Sequence, residues 1–346
     1  MLGAGGIPMQ RILSTGKYAI EGMQLTKFYR GNLMDIETFL LQRYPGSGRR
    51  QVWRDELANV CKSFVKSGLA DVNFTKELCS GSEQRFWSRV SEALLAAHLR
   101  KVGLDPIPSH DGGPDFLLIE NGRKIWIEVI CPEPIGVSSD WLSSELSKVV
   151  KVVNFPHEQI LLRWTSAIKE KAEKLIGSLD DTVKGYIDKG IVDPEDAYVI
   201  AVNGRRFRHG PFPALLGISQ FPFAAEAVFA IGPYQILINR DTLEKTSSGH
   251  QHRPLISKPK GAHVPAYTFL DDRFQPISAI WAVDVDGTSA IGISGPLAVI
   301  HNPYAFNPIS VGFLPAHDEY VATRIGAEEF ELNRIEGCYK SFYKSE

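Results

Sequence analysis

Three carboxylates, Glu92, Asp115 and Glu128, are spaced so that they could serve one divalent-metal site. Asp115 and Glu128 are the pair that local geometry connects. Two apolar runs lie between them, joined by Asn121-Gly122, and Asn-Gly between apolar runs is the strongest short-range hairpin signal. With that dipeptide as the turn, Glu120 faces Arg123, Leu118 faces Ile125, Phe116 faces Ile127, and Asp115 falls opposite Glu128. Directly opposed residues hold their Cβ atoms roughly 4.5–5.5 Å apart. Two negative charges at that separation need compensation. A hard divalent cation, Mg²⁺ or Mn²⁺, supplies it, with carboxylate oxygens as ligands. Acids at strand ends can also simply face water. Glu128, however, lies inside Ile125-Trp126-Ile127-Glu128-Val129-Ile130, a run long enough for a buried strand, where a carboxylate without a partner is costly.

Glu92 joins through a helix. Gly81-Ser82 opens a helical pattern over roughly Glu83 to Val102, stopped by Gly103. On it Glu92 shares a stripe with Leu95, Ala96 and Leu99, which places the acid at the edge of burial. Further elements frame the site. Residues 1 to about 30 read as weakly structured, and Asp35 to Ala70 as helical through Val52, Leu57, Val60, Phe64 and Val65. After the hairpin come a helical stretch from Trp141 to Val153, a strand-like run from Gln159 to Trp164, a helix from Ser166 to Ile176 and a buried strand from Ala197 to Val202. Prolines, aromatics and short apolar runs dominate beyond Gly210, with a loop expected over Ser247 to Pro265.

A helix carrying Glu92, then Gly113-Pro114-Asp115, then a strand holding Glu128, resembles the PD-(D/E)xK nuclease superfamily over about residues 82–205. The segment Leu-Leu-Ala-Ala-His-Leu-Arg-Lys-Val-Gly-Leu, which begins at Leu94, is similar to the end of that family's first core helix. The resemblance implies an α+β fold with a restriction-endonuclease-like αβββαβ core. That core spans 81–210, with an N-terminal helical region (1–80) and a β-rich C-terminal region (211–346). It also implies a divalent-metal-dependent nuclease in which Asp115 and Glu128 hold Mg²⁺ or Mn²⁺, with Glu92 as a further ligand. The family's lysine, two residues after the acid, is Ile130 here. Lys124 shares the face of Glu128 but stands about 13 Å away at ~3.3 Å per residue. The family can take its cation from the following helix, which assigns it to Lys171, on the Ile168, Ala172 and Leu175 stripe. Lys169 and Lys174 are expected to point elsewhere, and Lys148 and Lys151 are more distant candidates. A module on the same fold that binds nucleic acid or a protein without cutting is the alternative that Ile130 leaves open.

Arg163, Arg205, Arg206 and Arg208 are the residues assigned to a nucleic-acid backbone. The last three follow a core strand in a glycine-flanked loop with His209, although such runs are commonly only solvated. DNA is expected ahead of RNA, and a homodimer is allowed. Asp284-Val285-Asp286-Gly287-Thr288 matches the nucleophile motif of haloacid-dehalogenase-like phosphatases, but only 58 residues follow Thr288, and Asp286-Gly287 reads better as a hairpin turn. His250-Gln251-His252 lies in the expected loop with no acidic or cysteine partner nearby.

The bulk numbers fit this frame. The chain has 346 residues, 44% apolar and 23% charged, the profile of an ordinary globular protein. A formal charge of −2 excludes a strongly basic coat for nucleic acid while allowing a local groove. Four scattered cysteines with no CxxC pair argue against a zinc ribbon or disulfide scaffold. Met1 to Gln24 lacks the apolar core of a signal peptide, and no stretch reaches the ~20 apolar residues of a membrane span. A cytoplasmic protein is expected.

Overall fold

Asn121 and Gly122 both adopt positive φ, 52° and 83°, as a type I′ turn demands. The turn joins β2 (Phe116–Glu120) to β3 (Arg123–Ile130) in the register expected, with Glu120 opposite Arg123, Leu118 opposite Ile125 and Phe116 opposite Ile127. The computed structural model describes residues 35–109, 112–142, 153–210, 215–258, 260–292, 295, 297–326 and 329–338. The expectation of weak structure over residues 1–30 lies outside these.

The hairpin is one end of an eight-stranded mixed sheet. Short β1 (Ile107–Pro108) borders β2, and β3 runs parallel to β4 (Ala197–Asn203), which runs parallel to β9 (Ala279–Val283). Antiparallel β10 (Leu297–His301) follows. Then come β11 (Asp318–Arg324), parallel to β10, and antiparallel β12 (Phe330–Glu336). Two small hairpins stand apart from this sheet: β5 (Ile231–Ile238) with β6 (Lys245–His252), and β7 (Leu255–Ser257) with β8 (His263–Pro265).

Side chains alternate across the sheet, so each strand feeds two cores. Ile125, Ile127 and Val129 of β3 join Val199 and Trp281 in one apolar cluster. It is covered by α1 (Ile36–Arg43), α2 (Arg49–Lys66), α3 (Phe74–Leu78) and α4 (Glu83–Lys101). Trp126 and Ile130 join Tyr198, Ile200 and Ile280 in the other, against α6 (His157–Ile176) and α7 (Phe223–Phe229). Glu128 falls in the Trp126–Ile130 series and therefore faces α6. Because both faces are covered, the architecture is mixed α+β.

Several sequence expectations need correction. Gln159 to Trp164 is no strand but the first turns of α6. Ile160, Leu161 and Trp164 are buried at helical spacing with Ile168, and a short apolar run alone could not distinguish the two. The helical stretch expected from Trp141 is only α5 (Ser139–Leu142) among the described residues, and 153–156 is not helical. Ser247 to Pro265 is not a loop: it contributes to β6, β7 and β8. Val52 and Val65 of α2 are exposed, and the buried stripe runs instead through Leu57, Cys61 and Phe64. The composition does change near residue 210, but the sheet runs across that point, since β9 to β12 extend it beyond β4. No helix among the described residues is long and apolar enough to cross a membrane.

Candidate active site

Glu128 is 2% exposed, so its charge must be met by protein groups. Two lysines from α6 meet it. The Lys171 and Lys174 ammonium groups both donate to Glu128 Oε1, at 2.7 and 2.8 Å. The Tyr186 hydroxyl donates to Oε2 at 3.3 Å. Burial pushes the Glu128 carboxyl up, and the two lysines outweigh it, holding the group below the usual carboxylate range. Lys171 is buried in the helix stripe that sequence spacing assigned to it, and the Tyr198 hydroxyl of β4 donates to its carbonyl at 3.4 Å. The Lys174 side chain is 44% exposed.

Asp115 precedes β2 by one residue, at the position that the hairpin register extends opposite Glu128. It is half-buried, and Oδ2 accepts the Val129 N–H at 2.6 Å, which ties the acid to β3 beside Glu128. Burial pushes its carboxyl up to about 6, and the Glu128 charge adds to the rise, while Lys171 and the Val129 N–H oppose it. Glu92 is buried on α4, a helix capped by the Ser82 hydroxyl. Burial and the nearby Asp115 charge push Glu92 up to about 8, against the pull of Arg89. Electrostatics therefore links the three carboxylates in series, with Asp115 in the middle.

Glu92 is not a free ligand. Arg89 donates to Glu92 at 2.9 Å, to Glu77 at 2.6 Å and to Asp71 at 3.0 Å. No group of three His, Cys, Asp or Glu side chains among the described residues is arranged to hold a metal. Asp115 and Glu128 still offer the hard oxygen chemistry that Mg²⁺ takes. The group competing for Glu128 that is free to swing into solvent is Lys174. The donor chemistry thus fits a divalent cation once that ammonium moves aside.

A cleft of about 290 Å³ opens beside Lys171, with Gln84, Ser88, Ile130, Arg163 and Ser166 among its walls. The Arg163 Nε is buried and has no hydrogen-bond partner. The other three arginines are placed differently from expectation. They do not lie in an open loop, because residues 204–207 form a 3-10 turn capped by the Asn203 side chain. Arg208 donates to Asp284 Oδ1 at 2.6 Å and to Asp286 Oδ2 at 2.8 Å. Arg205 lies 3.0 Å from Asp286 and 5.1 Å from the Trp87 ring centre, and Arg206 donates to Gln84.

The phosphatase-like motif is absorbed in this cluster. Burial pushes Asp284 up to about 6, against Arg208 and Arg205. Asp286 caps the 3-10 turn Gly287–Ile291, so Asp286-Gly287 is a helix start and not the hairpin turn expected from the sequence. His250 lies in β6 with Nδ1 3.0 Å from the Gly232 carbonyl. His301 ends β10 in a buried pair with Glu319, at 2.7 Å.

The expectation that Lys174 points elsewhere is overturned, since it donates to Glu128 at 2.8 Å, and Tyr186 was missed. Lys174 was legible: it stands at i+3 from Lys171, and such residues share a helix face. Tyr186 lies in an irregular segment whose sequence carries no period. Lys169 does point elsewhere, 3.7 Å from Glu173, and Lys148 and Lys151 lie outside the described residues.

No family model matches the chain, and no curated protein or solved structure matches it.

Proposed function

We propose that the protein is a divalent-metal-dependent nuclease that hydrolyses phosphodiester bonds of nucleic acid on a restriction-endonuclease-like core. The observation that carries this reading is the buried Lys171 ammonium at 2.7 Å from Glu128, beside Asp115 and at the wall of a cleft. That arrangement restores the acid–acid–lysine set that Ile130 removes from the strand. Asp115 and Glu128 would hold Mg²⁺ or Mn²⁺, which when bound polarises the phosphate and lowers the pKa of water. Lys171 would face the reacting phosphate and offset the charge that builds there as water attacks in line and the bridging oxygen leaves. Arg163, with its unpartnered Nε, is placed to grip a neighbouring phosphate. Glu92, held by Arg89 and with its carboxyl raised by burial and by the nearby Asp115 charge, would border the site as a further carboxylate.

The test is cleavage of single- and double-stranded DNA and RNA with Mg²⁺, with Mn²⁺ or with EDTA. Metal-dependent cleavage that disappears in Asp115→Asn, Glu128→Gln and Lys171→Met is the expected result. Cleavage in EDTA, or cleavage that survives all three substitutions, sinks the proposal.

A second reading has its own support. Both oxygens of Glu128 are already engaged by Lys171, Lys174 and Tyr186, so the site is satisfied without any ion. A nuclease-fold module that binds nucleic acid without cutting would look the same. Binding without cleavage under every metal would select it.

A further inference from the structure

The hairpin of β5 and β6 breaks the rule that apolar side chains go inside. Tyr234, Ile236, Leu237, Ile238 and Leu243 are each more than half exposed. No stretch of ten described residues holds more exposed large apolar side chains. The pair forms its own two-stranded sheet, so an outer edge of each strand lacks a strand partner among the described residues. A lone two-stranded hairpin is marginal in water, and stability comes with a third strand and an apolar face covered. An open, apolar edge is also a template for another chain.

We infer that this arm is a dimerisation surface whose occupant is the same arm of a second copy, with β5 pairing antiparallel to β5. Three features select the second copy. Tyr234 to Ile238 carries no charge, so the strand can lie against itself without opposing like charges. A two-fold axis at Ile236 puts Ile236 opposite Ile236 and Tyr234 opposite Ile238 of the second copy. By strand alternation all of these share one face, and aromatic and β-branched residues are favourable cross-strand partners. Pro233, lacking an N–H, ends the ladder at the base and confines it to this uncharged segment.

Charge argues against nucleic acid as the occupant. The arm carries Arg240 and Lys245 against Asp241 and Glu244, a net charge of zero, whereas a phosphate backbone calls for an excess of cations. An isologous two-fold contact of this kind is the commonest way for a chain to oligomerise, and it leaves four strands where two stood.

Sedimentation of the full-length chain over a wide concentration range tests this. A dimer of about twice 38.4 kDa is expected. Ile236→Lys should raise its dissociation constant at least about tenfold, as for a central interface residue, with the monomer's melting temperature unchanged. In a Cys338→Ser background, Ile236→Cys should form a disulfide-linked dimer on oxidation, and Leu243→Cys at the tip should not. A chain that stays monomeric at every concentration, or a dimer indifferent to Ile236→Lys, overturns the inference. These outcomes are independent of whether the chain cuts nucleic acid.

Discussion

Two buried charge clusters sit at or near the carboxyl ends of β3 and β9, the parallel strands that flank β4, and they meet the same problem in different ways. At the end of β9, Asp284 and Asp286 face Arg208 and Arg205, with Asp286 also capping a 3-10 turn. The arginine forks are spent inside the protein, and the cluster ties residues 204–208 to the β9 end. On β3, Glu128 holds two lysines on one oxygen, Asp115 leans on a backbone N–H, and a cleft opens alongside. One cluster pairs its carboxylates with planar arginine donors, although Asp284 Oδ2 and Arg205 Nε are left without a hydrogen bond. A raised carboxyl occurs in both, Asp284 and Asp115 each pushed up to about 6, but the β3 cluster also keeps a lysine with a solvent-exposed stem. The residue types that chemistry uses are present in both, and what separates them is the cleft beside Lys171 and the half-exposed Lys174 on the β3 side.

The sharpest way to break that comparison is a cross of two substitutions. Asp115→Asn should lower metal-dependent cleavage on the order of 10²–10³-fold, the effect of removing one preorganised electrostatic group, with folding intact by circular dichroism. Asp284→Ala should do the reverse. It takes from Arg208 one of its two carboxylate partners, leaving Asp286, and costs about 1–3 kcal/mol in urea unfolding, while cleavage per folded molecule is unchanged. Identical profiles would erase the distinction.

Acid pH gives the next effect. Asp115 is raised from 3.8 to about 6, so between those values the folded chain holds a proton that the unfolded chain has released. Stability therefore falls as pH rises through that window, and the cost persists above it. In EDTA, Asp115→Asn should be more stable than the natural chain above pH 6 and should lose that advantage below about pH 4. In the proposed reaction, metal binding would need the ionised acid. At limiting Mg²⁺ cleavage should fall about tenfold per pH unit below Asp115's apparent pKa, because the protonated fraction grows in that proportion.

Arginines provide a smaller contrast. Arg163→Ala should weaken DNA binding about tenfold, as for loss of one charged hydrogen bond, and flatten the salt dependence by about one ion. Arg206→Ala, which removes a donor already spent on Gln84, should leave affinity nearly unchanged by fluorescence anisotropy. The smallest effect is at Lys174. Removing a half-exposed ammonium from Glu128, as in Lys174→Met, should tighten Mn²⁺ binding about two- to fivefold by calorimetry, since exposed ion pairs are worth ~0.2–1 kcal/mol.

What the sequence disclosed follows the range of each interaction. The β2–β3 register depends on a dipeptide at the turn, so Asn121-Gly122 was enough to align Glu120 with Arg123. Ser82 and Gly103 marked α4 for the same reason, and Lys171 could be placed on the buried stripe of its helix. Arg205 and Arg208 were misread because their partners lie near residue 285, and no local pattern carries that pairing. The strand-like reading of Gln159 to Trp164 failed because three adjacent apolar residues suit either period. The β5–β8 segment failed because polar residues such as Ser247, Ser248 and His250 on an arm look like loop.

The sheet's crossing of residue 210 has a consequence for synthesis. β4 bonds β3 on one side and β9 on the other, yet β9 begins at Ala279, 76 residues after β4 ends at Asn203. At roughly 5–20 residues per second on a ribosome, the far edge of β4 waits about 4–15 s for its neighbour. During that interval a run of seven buried residues, Ala197 to Asn203, presents an open edge. The nascent chain is thus most exposed to mispairing just when its acid–lysine cluster has all its parts, and a fragment ending near residue 210 would keep that hazard permanently.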